Sequence, residues 1–123
     1  MYGVTASKVV IPRRVIYYTS VRGDHIVRDE IARLTKPDIA KVLRAAGRLE
    51  AYGESLGGDA VKHVKGKVWE LREDRYRLLY FTYVRDTYVI LRVFMKKTPK
   101  TPERDIRLAE RRMNDYLARF PKD

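Results

Sequence analysis

Three strand-like runs follow one another in the second half of the chain, roughly Val64–Arg72, Tyr76–Val84 and Thr87–Met95. They are rich in β-branched and aromatic residues, and only Glu73-Asp74-Arg75 and Arg85-Asp86 separate them. Gaps that short admit hairpins and no crossover, so the runs are expected to pair as consecutive antiparallel strands. The same runs carry Glu70, Arg72 and Arg77, with Lys96 and Lys97 just past the last one. A small sheet normally fills such positions with apolar side chains. Cations gathered on one sheet face repel each other unless an anion lies between them.

Upstream, Arg14-Val15-Ile16-Tyr17-Tyr18-Thr19 reads as a strand. Arg22-Gly23-Asp24 is a turn, with Asp24 placed to cap a helix that carries Val27, Ile31 and Leu34 at helical spacing. Thr35 and Pro37 suit the start of a second, longer helix. Its apolar stripe is Ile39, Val42, Leu43, Ala46, Leu49 and Tyr52, and Gly53 and Gly57-Gly58 lie at and beyond its end. Pro99 and Pro102 break the chain before a last helix from Glu103, striped by Ile106, Ala109, Met113 and Leu117. The order β-α-α-β-β-β-α predicts an α+β fold, with two N-terminal helices packed on a small curved antiparallel sheet. The other sheet face is expected to be left for water or a partner. Residues 1–123 read as a single domain, with 1–12 a flexible arm punctuated by Pro12.

Composition narrows the chemistry. The chain has no cysteine and two histidines far apart in sequence, so neither a thiolate site nor a histidine-based metal centre is expected, and no cofactor is called for. No apolar run approaches a membrane span, and the first residues have no apolar core of a signal peptide, so a cytoplasmic protein away from membranes is expected. The net charge of +11, from 27 Lys and Arg against 16 Asp and Glu, favours a polyanionic partner such as nucleic acid.

Side chains alternate along a strand, and Arg72 and Arg77 flank the loop Glu73–Tyr76, so they can face each other across the first hairpin. Glu70 shares the face of Arg72. Leu79, Phe81 and Tyr83 share that of Arg77, while Trp69, Leu71, Leu78 and Tyr80 point the other way. With Asp86-Thr87 as the second turn, Arg77 falls opposite Lys96. With Arg85-Asp86 as the turn, it falls opposite Phe94 and Lys96 lies diagonally. Either register leaves Lys96 on the face of Arg77 and sends Lys97 to the other. Arg72, Arg77 and Lys96 thus converge as an anion site.

The segments Val68-Trp69-Glu70-Leu71-Arg72, Tyr76-Arg77-Leu78-Leu79-Tyr80-Phe81 and Phe94-Met95-Lys96-Lys97-Thr98-Pro99-Lys100-Thr101-Pro102 resemble, in this order, the RelE/ParE toxin superfamily. The similarity is greatest to its phage-derived, HigB-like branch and runs from about Val15 to Leu117. The resemblance implies the toxin of a type II toxin–antitoxin pair, held by a helix-turn-helix antitoxin. It implies metal-independent cleavage of mRNA on the ribosome by attack of the 2′-hydroxyl on the adjacent phosphate. On that basis Arg77 is the expected grip on the scissile phosphate, reinforced by Arg72. Lys96 and Lys97 would hold the flanking backbone or transfer a proton, with Glu70 a further candidate base. Lys62, Lys65, Lys67 and Lys100 are expected to bind RNA phosphates. Relatives often place a histidine or tyrosine late in the chain for proton transfer. Here no histidine follows His63, Tyr116 falls in the last helix, and Arg92 stands where many relatives of this branch carry a histidine. Two other readings are open: inhibition of DNA gyrase, as on the ParE side of the superfamily, and a catalytically silent RNA-binding protein of the same fold.

Overall fold

A computed structural model describes residues 12–122. The arm expected over residues 1–12 lies, Pro12 apart, outside the described residues. Strand β1 (Arg14–Tyr17) leads into helices α1 (Ile26–Ala32) and α2 (Lys36–Tyr52). Strands β2 (Val61–Lys65), β3 (Val68–Glu73), β4 (Tyr76–Val84) and β5 (Thr87–Met95) follow, and helix α3 (Glu103–Arg119) ends the fold.

The fold is α+β, and four details differ from the sequence reading, the last of them the cover on the second sheet face. The expected run Val64–Arg72 is two strands, because Gly66 takes a left-handed φ of 56° and reverses the chain between β2 and β3. The sheet has five strands in the order β1-β5-β4-β3-β2 and is mixed, because β1 lies parallel to β5, with Tyr17 opposite Ile90. Two helices separate β1 from the meander, which leaves chain enough for a parallel return. Asp24 does not cap α1; His25 holds that position, and its side chain makes no capping bond. Thr35 does cap α2, its Oγ1 accepting from the Asp38 N–H at 3.4 Å, with Pro37 in the first turn.

The hairpins set the register. Glu73 pairs with Tyr76 around Asp74-Arg75, and Val84 pairs with Thr87 around Arg85-Asp86. Asp74 and Asp86 sit at φ of 55° and 60°, which aspartate tolerates better than most residues. Arg72 therefore pairs directly with Arg77, and Arg77 with Phe94.

Helix α2 presents Val42, Ala45, Ala46 and Leu49, all buried, at a helical period. It covers the sheet face that carries Leu71, Tyr76 and Leu78, where the Tyr76 hydroxyl donates to Asp38 at 2.6 Å. The opposite face is not open. Helix α3 packs there, its Tyr116 ring 6.1 Å from Phe81 and 5.0 Å from Tyr83, with Ala109 fully buried. The stripe read for this helix needed an apolar surface, and Leu79, Phe81 and Val89 supply it. What stays uncovered on that face is the ground around the start of α3.

A buried ion network ties three elements together. Glu30 on α1 accepts from Arg92 Nη1 at 2.7 Å, Arg112 Nη1 at 2.9 Å and the Val93 N–H at 3.0 Å. Asp105 on α3 accepts from Arg92 Nε at 2.9 Å. Burial opposes the Arg92 charge, yet its bonds to Glu30 and Asp105 hold its pKa above the ordinary value.

Candidate functional site

The cationic side chains read from the strands meet where β3, β2 and the linker between β5 and α3 converge. Lys62, Glu70, Arg72, Lys96, Lys100 and Thr101 line a cavity of about 260 Å³ there, with His63, Glu103 and Ile106 also bordering it. Register brings them together. Lys62 stands opposite Glu70 across β2 and β3, and Arg72 follows two residues on, along the same face. Lys96 leaves β5 with its N–H on the Arg75 carbonyl at 2.6 Å, which fixes the start of the linker. Within the linker Thr98 Oγ1 donates to the Lys100 carbonyl at 2.7 Å. The next residue, Thr101, donates its hydroxyl to Glu70 Oε1.

Glu70 is the hub, 2% exposed. Its Oε2 accepts from Arg72 Nε at 3.0 Å and lies 3.7 Å from Arg77 Nε. The carboxylate thus compensates the two facing guanidiniums and leaves the far end of Arg72, which is half-buried, toward the cavity. Both its oxygens are engaged, one by Arg72 and the other by Thr101.

Arg77 is the second hub and sits behind the wall. It is 8% exposed, does not line the cavity, and donates through Nη1 to the carbonyls of Asp74 and Tyr76 at 2.8 Å each. Its Nε is buried without a hydrogen-bond partner. Burial pulls its pKa below the ordinary value, Glu70 opposes that shift, and Arg72 adds to it. The side chain holds the β3–β4 turn and backs Glu70.

The remaining sequence-read residues are dispersed. Lys97 is exposed and borders a different cavity, beside Arg92 and Phe94. Lys65 pairs with Glu110 of α3 at 3.6 Å, and Lys67 is exposed on the turn after Gly66. His63 turns its ring to Trp69, 5.2 Å away and edge-on, and its Nε2 lies 2.7 Å from the Gly66 carbonyl. Tyr116 is buried among Phe81, Tyr83 and Phe120, away from the cavity, and burial raises its pKa. Thr101 was not singled out by reading the sequence for charge. Its signal was its place as the second threonine of the Lys-Lys-Thr-Pro-Lys-Thr-Pro string, a side chain that carries no charge. Among the described residues no cluster of three His, Cys, Asp or Glu could hold a metal ion, and no helix is long and apolar enough to cross a membrane.

Comparison with known proteins agrees with this architecture. Among curated protein sequences none matches the chain. Among solved structures, a chain of the toxin–antitoxin complex RelBE2 from Mycobacterium tuberculosis matches with a TM-score of 0.55 and 25% identity, over 70% of this chain and 100% of that one. The family model described as phage-derived protein Gp49-like matches residues 29–114, which run from α1 into α3 and include every wall of the cavity. The chain therefore belongs to the phage-derived Gp49-like family, within the RelE/HigB type of toxins that its three strand landmarks resemble.

Proposed function

We propose that this protein is the toxin of a toxin–antitoxin pair and cleaves mRNA on the ribosome, with the Arg72 and Lys96 cavity as its RNA site. The observation that carries the reading is the convergence of four cations, Lys62, Arg72, Lys96 and Lys100, on one concave surface with two carboxylates, the already engaged Glu70 and the exposed Glu103. Such a surface is short of negative charge and suits a phosphodiester backbone.

The chemistry asked of the site is modest. The 2′-oxygen attacks the adjacent phosphorus, a cyclic phosphate forms, and the bond to the 5′-oxygen breaks. The 2′-hydroxyl gives its proton to solvent water, and a lysine ammonium gives one to the 5′-oxygen, which leaves as a 5′-hydroxyl. Arg72, held in a fixed orientation by Glu70, offers its guanidinium fork to the non-bridging oxygens. Lys96 and Lys100 neutralise the flanking phosphates, and either can deliver the proton to the leaving oxygen. Lys62 extends the same contact from β2. Arg77 acts through Glu70 as a positioning residue. The antitoxin partner and the ribosome enter by analogy with the RelE/HigB type, the first also through the complex in which the solved relative was crystallised.

The test is induction in cells with mapping of RNA 5′ ends. Wild type should arrest growth and create new 5′-hydroxyl ends. A folded Arg72→Ala/Lys96→Ala variant should do neither. Cleavage by that variant at the wild-type rate sinks the assignment, and DNA damage without new RNA ends would instead support gyrase inhibition.

A further inference from the structure

A second, larger cavity of about 510 Å³ lies on the other side of the β5–α3 linker, between α1, the end of β5 and the first turn of α3. Adjacent residues separate here: Lys96 lines the first cavity and Lys97 the second. The linker thus runs between two cationic hollows.

The charges of the second hollow do not cancel. Its carboxylates, Glu30 and Asp105, are buried and already bonded to Arg92, with Arg112 also on Glu30. Arg33, Lys97 and Arg104 remain at its walls, all exposed. Among the described residues Arg33 and Lys97 have no carboxylate partner, and Arg104 reaches Asp105 only at 3.9 Å. Phe94 and Met95 supply an apolar wall beside these cations. Cations around a concave surface with one apolar side match a nucleotide, whose phosphate and base need those two environments. The volume falls within the usual range for small-ligand sites, roughly 300–1,000 Å³.

We infer that this cavity is a second nucleotide subsite, which takes the RNA strand as it leaves the Arg72 and Lys96 cavity and crosses the linker. The inference rests on the RNA reading above and assigns Arg33, Lys97 and Arg104 to the phosphate and Phe94 to the base. It also gives Lys97 a place on the RNA path separate from the reacting phosphate.

The experiment is fluorescence anisotropy with an RNA hexanucleotide blocked against cleavage by 2′-O-methylation, measured over a range of salt. Three purified variants are compared with wild type after their melting curves show them folded. Arg33→Ala/Arg104→Ala should weaken binding about tenfold and reduce the log–log salt slope by about 0.7, the value for one lost phosphate contact on a single strand. Arg22→Ala/Arg85→Ala removes the same charge from exposed positions outside both cavities and should weaken binding less than about twofold. Arg72→Ala/Lys96→Ala should weaken it strongly. If Arg33→Ala/Arg104→Ala binds like wild type or like the Arg22 and Arg85 control, the second subsite is refuted. Loss of binding in Arg72→Ala/Lys96→Ala would then leave the RNA reading standing, and unchanged binding there would overturn both.

Discussion

Glu70→Gln tests whether the site is a cation cluster held together by one carboxylate. The substitution keeps the shape and removes the charge. In the wild type Glu70 accepts from Thr101 and, at 3.0 Å, from Arg72, and it lies 3.7 Å from Arg77. A hydrogen bond involving a charged group contributes about 1.5–3 kcal/mol, and the lower end applies to Arg72 because that side chain is partly in solvent. Arg72 and Arg77 are directly paired across the strands, so their mutual repulsion becomes uncompensated and adds up to about 1 kcal/mol. The expected loss is about 3 kcal/mol, or a fall in Tm of roughly 10 °C for a domain of this size. An anion entering the cavity should replace the missing charge. Sulfate at about ten times its Kd would return about 1.4 kcal/mol, roughly 5 °C, by mass action. The assay is thermal melting of wild type and variant in chloride and in sulfate at equal ionic strength. A drop of less than about 2 °C, or sulfate stabilisation no larger for the variant than for wild type, would refute the reasoning.

Two further outcomes follow from the rest of the fold. Glu30→Ala strands Arg92 and Arg112 in a buried network, so it should cost about 3–5 kcal/mol in denaturant unfolding; a loss below about 1 kcal/mol would show that the network is already open to water. Burial, with Tyr88 and Glu54 adding to it, pushes the Tyr80 phenol up to about 12. A folded pKa above the unfolded one means the unfolded chain releases its proton first. Stability should therefore hold below pH 10 and fall between pH 10 and about 12, followed by Tm together with tyrosinate absorbance. An unchanged Tm across that window would contradict the burial of Tyr80.

The parts of this protein that could be read without coordinates are those decided within a few residues. Thr35 and Pro37 start α2 wherever the helix lies, and two gaps too short for a crossover make β3, β4 and β5 neighbours. The facing of Arg72 and Arg77 follows from that hairpin by alternation alone. Contacts between distant segments were not legible in this way. Nothing local says that β1 returns parallel to β5, since both directions place its apolar residues equally well. Nothing local says that α3 crosses the cationic face, because an amphipathic stripe demands a partner surface without naming it.

The candidate site divides along the same line. Strand chemistry alone supplied the cations and placed Arg72, Arg77 and Lys96 near one another. Packing decided which of them border a cavity: it buried Arg77 against the carbonyls of Asp74 and Tyr76, tied Glu70 to Thr101, and sent Lys96 and Lys97 to opposite sides of the linker. A residue's charge is a property of its side chain, but its exposure depends on what the rest of the chain lays over it.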